Sequence, residues 1–74
     1  MNNLEFFRRQ KGLTQTQLGL KLGIHPTNIT MVEREHRRAW PKLRKQIAKE
    51  LGVLEELLFD ANGNLKRGTK NESI

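Results

Sequence analysis

Apolar residues recur at helical spacing along most of the chain, and no stretch shows the strict two-residue alternation of a half-buried strand. The pattern predicts an all-α fold. Asn2 or Asn3 can cap a first helix that runs to about Lys11, buries Leu4 and Phe7 and stops at Gly12. Phe6 falls between the two faces, where it either covers part of the core or meets a partner. Thr14-Gln-Thr-Gln17 fits a capping box, in which a hydroxyl and a side-chain amide satisfy two of the unpaired donors that open a helix. A second helix therefore begins at Gln15, buries Leu18 and Leu22, and ends at Gly23.

Pro26 suits the first position of a third helix, where its missing N–H would be unpaired anyway, and His25 becomes the N-cap. Ile29 and Val32 form its inward face, leaving Thr27, Thr30, Met31 and Arg34 outward. Pro41 opens a fourth helix and forces Trp40 to be extended; Leu43, Ile47, Ala48 and Leu51 line its core face and Gly52 closes it. A short fifth helix is expected from about Leu54 to Phe59. Residues 1–60 then form one domain, and the polar stretch from Ala61 to Ile74 reads as a structureless tail. The tightest constraint lies between Gln15 and Arg34. A three-residue turn can join two short helices at a steep angle only if the crossing residue is small and the turn tolerates positive φ, and Gly19 and Gly23 meet both conditions.

Charge narrows the partner. The chain of 74 residues carries a net charge of +6, which favours a polyanion, either nucleic acid or an anionic membrane. From His36 to Lys49 there are six Lys or Arg and no acid, whereas from Glu50 to Asp60 there are four acids and no base. One end should attract phosphate while the other faces away from it. A membrane surface is disfavoured, because no face is both broadly apolar and rimmed by cations. No run is long and apolar enough to span a bilayer, the N-terminus lacks the look of a signal peptide, and cysteine is absent, so a cytoplasmic setting is expected.

Lys11-Gly-Leu-Thr-Gln15, Leu18, Leu22-Gly-Ile24, Ile29, Glu33-Arg34 and Ile47-Ala-Lys-Glu-Leu-Gly-Val53 together resemble the Cro and phage-repressor (XRE-type) helix-turn-helix family, over residues 4 to about 59. The resemblance implies a compact, lambda-repressor-like domain of five helices that binds operator DNA as a dimer, with the third helix in the major groove. It also implies that Arg8 and Glu33 pair, tying the first helix to the end of the third. Where this chain reads Glu33-Arg-Glu35, related sequences usually read Glu-Arg-Gly, with the glycine in the left-handed conformation that ends the third helix.

On that reading Pro26, Thr27, Thr30 and Met31 are the candidates for base edges, and the methyl groups of Thr and Met suit the thymine methyl. Gln15 and His25, which open helices, and Asn28, Arg34, Arg37 and Arg38 are the candidates for backbone phosphates. One helix-turn-helix covers only a half-site, so a homodimer on double-stranded DNA is expected, with Val53, Leu54, Leu57 and Phe59 as its apolar contact. Catalysis is disfavoured: the one serine is Ser73, and His25, Glu33 and His36 have no catalytic or metal-ligand spacing. No cofactor, metal or small-molecule ligand is expected. The competing role is protein interaction on the same fold, as an antitoxin or an antagonist of another regulator.

Overall fold

The computed structural model describes residues 1–68, in which five helices are connected by short turns: α1 (Asn3–Gln10), α2 (Gln15–Leu22), α3 (Pro26–Glu33), α4 (Pro41–Leu51) and α5 (Glu55–Leu58). The helix starts follow local chemistry. The Asn2 side chain accepts from Glu5 N–H (3.0 Å), Thr14 and Gln17 complete the reciprocal capping box, and Pro26 and Pro41 stand at first positions. Trp40, held extended by the proline after it, leads into α4 without a side-chain cap. α1 is one residue shorter than expected, with Lys11 as its C-cap, and α5 is confined to one turn.

The core is a single cluster in which Leu4, Leu18, Ile29, Val32, Leu43, Ile47, Leu51 and Leu58 from all five helices meet. Each comes from the apolar stripe of an amphipathic helix, whose burial supplies most of the stability of helices this short. Phe7 is only half-buried and packs on the cluster's edge, with the Phe6 ring set edge-on against it at 5.2 Å between centroids. Two polar residues of α1 that the stripe did not single out are buried. Asn3 Nδ2 donates to Leu57 O (2.7 Å), fastening α1 to α5, and Arg8 points into the interface between α1 and α3.

The chain past α5 differs from the compositional reading. Phe59 and Leu65 form an antiparallel bridge around a turn in which Asp60 Oδ1 accepts from the N–H groups of Asn62 (2.8 Å) and Asn64 (2.9 Å). Lys66 N–H donates to Leu58 O and Lys66 O accepts from Asn3 N–H, both at 2.8 Å, while Leu65 packs on the core. Composition suggested a structureless segment because these residues are polar; their order comes from backbone bonds to α1 and α5. The remainder of the expected tail, residues 69–74, lies outside the described residues. Among the described residues no helix is long and apolar enough to cross a membrane.

Candidate nucleic-acid interface

The geometry of α2 and α3 is set at one point of backbone contact. A Cβ at Gly19 would lie 2.9 Å from Pro26 Cα and 3.2 Å from Ile24 O, so the helices can cross this closely only over a glycine. Gly23, at φ 71°, turns the chain between them. α3 is then held from its inward side by Ile29 and Val32, both buried, and from its C-terminal end by Glu33.

Glu33 is the hub. Its carboxylate accepts from Arg8 Nε (2.8 Å) and Arg8 Nη2 (2.7 Å) in a two-pronged pair, and from Gln15 Nε2 (3.0 Å). Its backbone carbonyl accepts from Asn2 Nδ2 (2.7 Å). Arg8 also donates to Leu13 O (2.8 Å). One carboxylate thus fixes α3 relative to α1 and α2, and its hydrogen bond raises the Arg8 guanidinium above its usual pKa, although burial opposes this. Both charges are buried, so the pair orients α3 more than it adds net stability.

The outward side of α3 divides into engaged and exposed side chains. Thr30, expected to face outward, is half-buried: its hydroxyl donates to Gln15 Oε1 (2.9 Å) and lies 3.4 Å from Pro26 O. Gln15 is correspondingly occupied at both ends of its side-chain amide, by Thr30 and Glu33, because the buried carboxylate draws the amide donor inward. Its backbone N–H lies in the opening turn of α2, where the first amides have no carbonyl partner within the helix. Pro26 is half-buried over Gly19. Thr27 is exposed and Met31 partly so.

His25 caps α3 through Nδ1, which accepts from Thr27 N–H (3.1 Å), so Nε2 is the donor of the neutral ring. Arg34 and Arg38 are exposed, and Arg37 Nη1 donates to Asn28 Oδ1 (3.0 Å), which lays the α3–α4 loop along the flank of α3. Arg44, in the same basic run, turns away: it donates to Ala39 O (2.8 Å) and approaches Glu55 at 3.5 Å.

A family model described as helix-turn-helix matches residues 4–58 of the chain. The chain belongs to the Cro and phage-repressor (XRE) helix-turn-helix family. The match spans all five helices, so the fold just described is the family's all-α domain and the chain is a DNA-binding helix-turn-helix regulator. No curated protein matches the sequence.

Of the four residues expected at a dimer contact, Val53 and Leu57 are half-buried and Leu54 is 64% exposed. Phe59 is corrected: it is 3% exposed, because the bridge to Leu65 folds it into the core, and it has no surface to give a partner. Sequence reasoning missed Asn2, Asn3 and Gln15 as internal ties, since each acts across a distance that no local pattern reports. It also missed Arg67, which forms an exposed ion pair with Glu35. The turn-forming residues Asp60, Asn62, Gly63 and Asn64 were the available sign that the chain doubles back there.

Proposed function

We propose that the chain is a transcriptional repressor that binds a palindromic operator in the cytoplasm as a two-fold homodimer, each α3 reading one half-site in the major groove. The observation that carries this is a division of labour around α3. Thr27 is exposed and Met31 partly exposed on a helix fixed at both ends, while Arg34, Arg37 and Arg38 gather at its exit. Thr27 and Met31 present methyl groups to thymine methyls, with Pro26 and the Thr30 methyl closing the near edge of the same surface. His25 Nε2, the opening amides of α2 and the three arginines hold phosphates on either side. Asn28 steadies Arg37 from within that group.

A half-site of a few base pairs discriminates weakly, and pairing two copies about 34–36 Å apart squares the discrimination. Leu54, with Val53 and Leu57 beside it, supplies the apolar contact in the acidic segment away from DNA. Occupancy of the operator excludes other proteins from the same stretch. Selection of duplexes from a randomised pool tests the proposal: a two-fold symmetric sequence is expected to emerge. A pool that stays random, or that yields one half-site only, contradicts it.

A further inference from the structure

We infer that Arg67 is a further phosphate-contacting residue, delivered to the DNA-facing edge by the turn after α5 and held there by Glu35. The inference rests on the proposed DNA-binding face and extends it to a segment that lies beyond the residues matched by the family model.

The backbone leading to Arg67 is fixed. Lys66 is clamped between the opening amide of α1 and the last carbonyl of α5, and the Phe59–Leu65 bridge and the Asp60 turn hold the residues before it. Leu65 packs against the core, and Arg67, two residues on, lies at the exit of α3, where its guanidinium pairs with Glu35. A cavity of about 40 Å³ separates Glu35, Arg37 and Arg38 from Gly63 and Asn64, so the turn lies directly against the basic loop.

Magnitudes argue that this pair does not serve stability. Glu35 holds φ 63°, a left-handed conformation that strains any residue with a side chain. The Arg67 and Glu35 side chains are 60% and 37% exposed, so solvent screens their attraction and the contact at best offsets the backbone strain. Its effect on the surface is larger. An acid beside Arg34 and Arg37 would repel phosphate; with Arg67 laid over it, the α3 exit presents an unbroken rim of arginines. Glu35 then acts as a positioning residue, and a guanidinium that gives one edge to a carboxylate keeps further N–H donors for a phosphate oxygen.

The test is binding of the purified chain to a mixed-sequence DNA duplex across about 50 to 200 mM salt, where the slope of log affinity against log salt counts phosphate contacts. Arg67→Ala is expected to make that slope shallower by about 0.9 and to weaken binding at every salt, while Arg67→Lys keeps most of the slope. In a Glu35→Gln background, Arg67→Ala is expected to cost less than in the native chain, because the guanidinium is no longer held in place. Arg37→Ala and Arg38→Ala run alongside. If these two flatten the slope and Arg67→Ala leaves it unchanged, the inference is overturned while the DNA-binding face stands, even if the melting temperature falls. If none of the three changes the slope, the face itself is misplaced. An equal cost of Arg67→Ala in both backgrounds removes Glu35 from the account.

Discussion

The turn between α2 and α3 and the loop between α3 and α4 begin with the same backbone device and are stabilised by opposite means. At each helix exit the residue with positive φ donates its N–H to the carbonyl three residues back, and the next N–H reaches the carbonyl five back. This holds for Gly23 with Ile24 and for Glu35 with His36. The first connection uses glycine, needs three residues, and is fixed by backbone packed on backbone at Gly19. The second uses an acid, needs seven residues, and is held by side chains: Arg37 on Asn28, Arg44 on Ala39 O and Arg67 on Glu35. The difference teaches where precision and charge reside. A recognition helix has to be placed to within a fraction of an ångström, which steric contact provides; a phosphate grip tolerates adjustment and needs cations.

The comparison breaks most severely where α3 is anchored. Arg8→Ala leaves the Glu33 carboxylate buried without its main partner, and a loss of about 3–5 kcal/mol is expected in denaturant unfolding. A loss under about 1 kcal/mol would mean that Glu33 is solvated and does not fix the helix. Gly19→Ala comes next, because the added methyl meets the Pro26 backbone and α3 must shift: about 1–3 kcal/mol in stability, with DNA affinity falling as well. Retention of full affinity in a destabilised variant would show that the crossing is not what places α3.

Smaller effects sharpen the other side. Glu35→Gly relieves about 1 kcal/mol of backbone cost and forfeits an exposed ion pair contributing about 0–1 kcal/mol, so the unfolding midpoint should rise slightly. A clear fall would show that the side-chain contact outweighs the conformation. The least change is expected from acid. Hydrogen bonds from Asn64 and Asn62 N–H groups hold the Asp60 carboxyl below its usual pKa. A depressed pKa means that the turn is favoured above the ordinary carboxylate range and loosens as pH falls through the lowered value. Amide resonances of Asn62 and Asn64 should move together in that acidic window, and a shift centred near neutrality would contradict the assignment.

Much of the rigid half was legible in the chain itself because its determinants are local. The Thr14–Gln17 box, Pro26, Pro41, and Gly23 and Gly52 each specify a helix end through a neighbour within a few residues. Gly19 was legible as a crossing residue because only a small side chain fits a tight turn. The ties that are long in sequence were not legible, whether they anchor helices, as Asn3 to Leu57 and Gln15 to Glu33 do, or hold the loop after α3, as Glu35 to Arg67 does. Phe59 shows the limit most clearly. Its apolar side chain in an acidic segment fitted a partner contact as well as a core, and only the return of Leu65 decides between them.

The central claim, that α3 reads bases while the loop beyond it grips phosphates, is tested most directly by titrating four variants against the selected operator and a mixed-sequence duplex across salt. Thr27→Ala and Met31→Ala should each cost about 1–3 kcal/mol on the operator and little on mixed sequence, with the salt slope kept. Arg37→Ala and Arg38→Ala should weaken both duplexes alike and reduce the slope by roughly one. Four variants that lose affinity in the same pattern, whatever the sequence and salt, would contradict the division and the placement of α3 with it.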